Sequence, residues 1–173
     1  MSFRERMEYL EELKRKTVTM KHPNGTYVCV KVSAETAKQL DKWSSSNNIP
    51  NPIAAKDFHT TIVYSRRGIP AVQQYNINLP INATIDGWKI FPSQNGKKCL
   101  VAVVKSQELV DHHETIHARY GASYDYPDYI PHITFSYDYT ASKVPSSVPD
   151  VQVVYDRKNI EPLDPEFTSA KDD

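Results

Sequence analysis

The sequence predicts an α+β fold of two similar strand–helix–strand lobes, with two mainly antiparallel sheets around a central cleft. Three observations carry this expectation. Tyr27-Val28-Cys29-Val30-Lys31-Val32-Ser33 is matched by Leu100-Val101-Ala102-Val103-Val104-Lys105-Ser106, and such internal similarity points to one unit used twice. Each copy is followed by a helical stretch, a proline-containing loop and an H-x-T triplet, in Phe58-His59-Thr60-Thr61-Ile62 and Pro131-His132-Ile133-Thr134-Phe135. Ser33 to Ser106 and His59 to His132 are both separations of 73 positions, so strand, cap, helix and motif are expected to recur in one register.

In chain order, Phe3 to Lys16 carries charged residues with sparse apolar positions (Met7, Leu10, Leu13), which suits a solvated helix lying against the body. After the turn His22-Pro23-Asn24-Gly25, Thr26 to Val32 alternates as a strand, with Val28, Val30 and Val32 on one face and Tyr27 and Lys31 on the other. Ser33 is placed to cap a helix from Ala34 to Trp43. Phe58 to Ser65 is a strand whose H-x-T face is opposite Ile62 and Tyr64, both assigned to the core. Arg66-Arg67-Gly68 ends it, and a charge pair at a strand end is more often solvated surface than a phosphate site. Ile69 to Leu79 has weak periodicity and is expected to bridge the lobes. Ile81 to Phe91 and Lys98 to Val104 form paired strands around Ser93-Gln94-Asn95-Gly96. Ser106 caps a helix reaching Tyr120, and after a Tyr/Asp-rich loop the strand His132 to Tyr137 holds the second motif. Val151 to Tyr155 is one more strand, followed by a proline-interrupted segment. Residues 1–167 are thus expected to form a single bilobed domain, with Thr168 to Asp173 a disordered tail.

Composition narrows the function. Of 173 residues, 39% are apolar, enough for one substantial core. Lys+Arg and Asp+Glu balance at 21 each, which argues against a protein held on long nucleic acid by bulk charge and leaves room for a small phosphate ligand. No apolar stretch approaches a membrane span and no leader-like segment follows Met1, so a cytoplasmic setting without a membrane partner is expected. Cys29 and Cys99 fall in strand-like runs and are expected to be ordinary buried thiols.

The chemistry centres on His59, Thr61, His132 and Thr134. Residues i and i+2 of a strand share a face, so each motif presents an imidazole beside a hydroxyl. With an unperturbed pKa near 6.5, one imidazole can take a proton while another gives one, and the hydroxyls can bond the non-bridging oxygens of a phosphate. The scheme requires neither metal nor cofactor.

Paired H-x-T strands in a duplicated lobe resemble the two-histidine (2H) phosphoesterase superfamily, across roughly Tyr27 to Tyr137. Within it, the chain is most similar to phage nucleases that oppose CBASS, a bacterial antiphage defence. The resemblance implies a bilobed 2H-phosphoesterase fold and metal-independent cleavage of 3′–5′ linkages in cyclic di- and trinucleotides. It also implies aromatic stacking on the bases, at positions that look equivalent to Tyr27 and Trp88. Beyond the duplicated unit, Glu161 is expected to read a base edge, because an acidic residue accepts from an exocyclic amine. Two further readings stay open: action on RNA 2′,3′-cyclic phosphate ends or 2′–5′ linkages, and a non-catalytic sponge for cyclic nucleotides. A third, zinc catalysis, is suggested by His113-Glu114-Thr115-Ile116-His117, which spells H-E-x-x-H on a predicted helix. The corresponding helix of the first lobe lacks any such motif.

Overall fold

The computed structural model describes residues 2–14, 25–93 and 95–163. Helix α1 (Phe3–Lys14) precedes β1 (Thr26–Val32), α2 (Ala34–Ser46), β2 (His59–Ser65), β3 (Ile81–Pro92), β4 (Lys98–Lys105), α3 (Gln107–Tyr120), β5 (His132–Ser136) and β6 (Gln152–Pro162). Short 3₁₀ turns at Ala55–Asp57 and Pro70–Gln74 lie in the connections before and after β2. Residues 15–24, with Arg15, Lys16 and most of the expected turn at His22, lie outside the described residues, as does the tail from Thr168. None of the described helices is long and apolar enough to cross a membrane.

The local signals act as their chemistry dictates. The Ser33 hydroxyl accepts from Thr36 N–H at 3.2 Å and that of Ser106 from Leu109 N–H at 3.4 Å, so both repeated helices start on a serine cap. Gly121, at φ 69°, ends α3 in the left-handed conformation. Gly25 is required by space as well as by its φ of 86°: a Cβ there would collide with the Ser65 carbonyl oxygen. Helix α1 opens on a reciprocal box in which Ser2 and Glu5 bond each other's N–H, and it touches β6.

The strands form one antiparallel sheet in the order β2-β1-β6-β3-β4-β5. The two expected sheets are its halves, and β6 joins them. Its first residues pair with β3 (Ile81↔Tyr155, Thr84↔Gln152) and the rest pairs with β1 as far as Thr26↔Pro162. The strand therefore runs seven residues past the expected end at Tyr155. Asp156 to Asn159 carry no apolar signal because their ladder bonds are backbone bonds and their side chains are largely solvated. Val28, Val30, Val32, Ile62, Val63, Leu100, Ala102, Ile133, Phe135 and Tyr155 share one core with Leu40 of α2 and with Leu109 and Ile116 of α3. Ile69, Val72 and Ile77, in the weakly periodic connection, pin it to this same core.

A β-bulge revises the expected face of Tyr64. Val28 pairs with Val63 and Cys29 with Thr61, so Ile62 is skipped. The side chains after it turn over. Val63 enters the main core, and Tyr64 joins Tyr27, Cys29 and Leu163 in a second cluster. The other lobe repeats the device: Val101 pairs with Thr134 and Leu100 with Ser136, skipping Phe135. The repeat itself is not in uniform register. Lys31 pairs with His59 and Val103 with His132, so the partner residues are 72 positions apart while the histidines are 73 apart.

The buried face of α3 holds His113, whose Nδ1 lies 2.8 Å from the Ile62 carbonyl oxygen. Burial pulls its pKa down to about 4. The unfolded chain, with imidazole near 6.5, therefore binds the proton first as the pH falls. Stability is complete above about 6.5 and is lost as the pH falls toward about 4, with burial of His112 acting in the same direction. Urea unfolding at pH 7 and pH 4.5 is expected to show this loss in the wild type and a smaller one in His113→Phe; equal losses would remove His113 as its source.

Candidate active site

The strands carrying the motifs lie at opposite ends of the sheet order, yet β2 and β5 touch. Thr60, the central residue of the first triplet, is fully buried, and its hydroxyl bonds the His132 carbonyl oxygen at 2.9 Å. A carbonyl only accepts, so Thr60 spends its hydrogen there and the Tyr155 hydroxyl, 2.6 Å away, donates to Thr60. Burial raises the pKa of Tyr155 and keeps the phenol protonated. The chain Tyr155→Thr60→His132 thus ties β6, β2 and β5 together inside the core.

Directly opposed residues of an antiparallel pair share a face. His59 and Thr61 lie with their partners Lys31 and Cys29 on the face away from Val28 and Val30. His132 and Thr134, with Val103 and Val101, lie on the face away from Ala102 and Ile133. The sheet thus turns one continuous face to the cleft. The imidazoles are held in the same way: His59 Nδ1 lies 2.7 Å from the Asp57 carbonyl oxygen, and His132 Nδ1 lies 2.7 Å from that of Ile130. Because those oxygens accept, each Nδ1 carries a hydrogen, and Nε2 is the basic nitrogen of each neutral ring. The Phe58 carbonyl accepts from Val32 N–H and the Pro131 carbonyl from Val104 N–H, so the backbone on the other side of each motif is also matched. The surroundings differ. His59 is half-buried with Tyr27 edge-on to its ring, whereas His132 is 8% exposed and packs edge-on against Phe91, 5.0 Å between centroids.

Two cavities flank the pair. One, of about 460 Å³, is lined by Tyr27, Cys29, Lys31, Asp57, His59, Tyr137, Asn159 and Glu161, with Ile53 and Ala54. Tyr137 follows the second motif, so both lobes shape this space. The other, of about 280 Å³, is lined by Phe91, Pro92, Tyr124, Tyr126, Pro127, Asp128, Ile130 and His132.

Of the expected base-binding residues, Tyr27 and Glu161 share the first cavity and oppose one another on β1 and β6. Tyr27 is also tied to the motif, its hydroxyl 3.0 Å from Thr61 Oγ1. Trp88 is not brought to them. It pairs with Ala102 on the core face, packs against Trp43 and Phe135, and gives its indole N–H to the Ser147 carbonyl. The β3 ring that reaches a histidine is Phe91, three residues on and on the opposite face. Strand alternation counted back from His132 through Val103 to Gly87, Lys89 and Phe91 would have found it. Arg66 forms a two-pronged ion pair with Asp125, tying β2 to the Tyr/Asp-rich loop.

The H-E-x-x-H residues have structural partners. His113 Nδ1 meets Ile62 O and His117 Nδ1 meets His113 O at 2.6 Å, while Glu114 is exposed. Among the described residues, no three of His, Cys, Asp and Glu come together in a way that would hold a metal ion.

Comparison with known proteins agrees with the geometry. The family model for anti-CBASS protein Acb1 matches residues 24–170. The anti-CBASS protein Acb1 of Vibrio phage KVP40 is 32% identical over 148 residues, 86% of this chain and 93% of the relative. That of Enterobacteria phage T4 is 35% identical over 140 residues, 80% of this chain and 88% of the relative. Among solved structures, E. coli LigT complexed with phosphate aligns with a TM-score of 0.51 at 15% identity, over 82% of this chain and 95% of that one. A crystal structure of a phosphoesterase gives 0.52 at 16% identity, covering 82% and 96%. At such identities the likeness is one of fold, the α+β architecture. Taken with the family model and the phage relatives, it leaves one assignment: the chain belongs to the anti-CBASS protein Acb1 family.

Proposed function

We propose that the protein is a metal-independent phosphodiesterase that cleaves 3′–5′ linkages of cyclic di- and trinucleotides in the host cytoplasm, countering CBASS defence. The observation that carries this reading is the matched pair of imidazoles, each with Nδ1–H on the carbonyl two residues upstream and each beside a motif threonine. In the forward step one Nε2 takes the proton of a 2′-hydroxyl whose oxygen attacks phosphorus. The bond from phosphorus to the 5′-oxygen breaks, and the other imidazole, entering protonated, gives its proton to that oxygen. The product is a linear chain ending in a 2′,3′-cyclic phosphate, which water opens to a 3′-phosphate with the proton roles reversed. Thr61 and Thr134 donate to the non-bridging oxygens as charge builds there.

The substrate class is supported by the cavities on either side of the histidines. Sites for small ligands commonly enclose roughly 300–1,000 Å³. A cyclic dinucleotide astride the pair has one base for each cavity: Tyr27 and Glu161 wall the first, Phe91 the second. A carboxylate accepts from an exocyclic amine, and a base stacked on an aromatic ring gains roughly 1–3 kcal/mol.

Three outcomes are expected. His59→Ala and His132→Ala each lower turnover by about 10²-fold or more while nucleotide binding survives, and the wild-type rate is bell-shaped in pH; near-wild-type turnover in either variant would sink the paired mechanism. Incubation in EDTA with a panel of cyclic di- and trinucleotides and a linear RNA bearing a 2′,3′-cyclic end, read by chromatography, should linearise the cyclic substrates. Loss of activity restored by zinc would instead support the H-E-x-x-H reading, opening of the RNA end alone the RNA-end reading, and binding without cleavage a sponge. Finally, Tyr27→Ala and Phe91→Ala are expected to weaken substrate binding about tenfold or more. Trp88→Ala should lower the melting temperature with KM little changed, and the reverse pattern would return Trp88 to the site.

A further inference from the structure

The H-E-x-x-H helix and the Tyr/Asp-rich loop converge on the backbone just after Thr61. Ile62 is skipped in the β1–β2 pairing, so its carbonyl has no place in that ladder and needs a partner of its own. His113 Nδ1–H supplies it at 2.8 Å, and the Tyr129 hydroxyl donates to the carbonyl of Thr61 itself at 2.7 Å. Two successive carbonyls are therefore fixed by side chains: that of Thr61 belongs to the peptide that follows the Thr61 Cα and helps to set the direction of its side chain, and that of Ile62 holds the next peptide along. The donors brace each other. The His113 and Tyr129 rings stack with centroids 3.9 Å apart and planes 6° apart. His117 lies 3.9 Å from the His113 ring, and Tyr124 meets it edge-on. The second lobe solves the same problem differently, since its bulge carbonyl, Phe135 O, accepts from the backbone N–H of Ile53 at 3.0 Å.

We infer that His113 and Tyr129 are positioning residues for Thr61: they hold the β2 bulge so that the Thr61 hydroxyl faces the reacting phosphate. The inference rests on the phosphodiesterase reading, and it gives H-E-x-x-H a role in this protein without a metal. Thr134, whose bulge is held by a backbone donor, does not depend on them.

The test is steady-state cleavage of a cyclic dinucleotide by the full chain, at a temperature where melting curves show every variant folded. His113→Phe and Tyr129→Phe keep the rings and remove the donors. Each is expected to lower kcat about tenfold with KM within about twofold. His113→Asn, which returns an N–H near the place of Nδ1–H, should recover most of the loss. Combination with motif substitutions separates positioning from general loosening. In a Thr61→Ala background His113→Phe should cost less than about twofold, whereas in a Thr134→Ala background it should cost its full factor. A wild-type kcat in His113→Phe, equal factors in the two backgrounds, or no recovery by His113→Asn would overturn the inference.

A readout independent of turnover is the methyl spectrum of threonine-labelled protein. His113→Phe should move the Thr61 resonance and leave that of Thr134 in place; an unmoved Thr61 would overturn the inference, whatever the wild type cleaves. Absence of cleavage by the wild type, with the Thr61 shift present, would instead count against the phosphodiesterase reading alone.

Discussion

The architecture of the site depends on one buried hydrogen-bond chain, from the Tyr155 hydroxyl to Thr60 and from Thr60 to the His132 carbonyl. Each link contributes only about 0.5–1.5 kcal/mol net, but leaving a polar group unsatisfied in such a place costs about 1–3 kcal/mol. The chain therefore acts less as glue than as a specification. It allows β2 and β5, the ends of the sheet order, to meet in one arrangement, and that arrangement places the two motifs together. Thr60 occupies the middle of its triplet, where the second motif has Ile133, fully buried in the main core. One hydroxyl serves both motifs, and the other lobe offers an apolar side chain at the matching position.

Around this junction the lobes complete one another. The bulge carbonyl of the first motif is satisfied from α3 of the second lobe, and that of the second from Ile53 in a loop of the first. Separating the lobes would strand both carbonyls, so the polar bookkeeping of the motifs opposes it as well as the shared core. The imidazoles, by contrast, are satisfied locally, each by a carbonyl two residues upstream, which fixes their tautomers without reference to the other half. The tautomers of the two rings are thus set within each lobe and their mutual placement between the lobes.

Much of this is legible in the sequence, and the parts that are not share a cause. The caps, the repeated helices, the motif strands and their common spacing follow from local rules, because serine caps and alternating valines act through near neighbours. What escapes those rules is long-range pairing. Residues Asp156 to Pro162 extend the strand that unites the sheet, but the polar run Asp156 to Asn159 leaves only backbone bonds to mark its continuation. Simple alternation assigns Tyr64 to the main core, and a bulge at Ile62 interrupts that alternation. Trp88 is a reasonable choice by type, and the register of β3 on β4 sends it to the core and Phe91 to the histidine. Glu161 and Tyr27, far apart in the chain, are brought opposite one another by the strand that the apolar pattern does not show.

The one-residue slip within the repeat bears on how the halves can be exchanged. An alignment drawn through the cap serines equates Cys29 with Ala102, yet in space it is Val101 that stands beside a motif threonine as Cys29 does. Side chains in a strand alternate, so a shift of one residue inverts every assignment of inside and outside. A hybrid that transplanted β4 into the first lobe by the serine alignment would turn its cleft side chains into the core and its core side chains toward the ligand. The two halves are interchangeable as backbone and not as sequence, and any engineered symmetrisation of this protein would have to be written in hydrogen-bond register rather than in residue number.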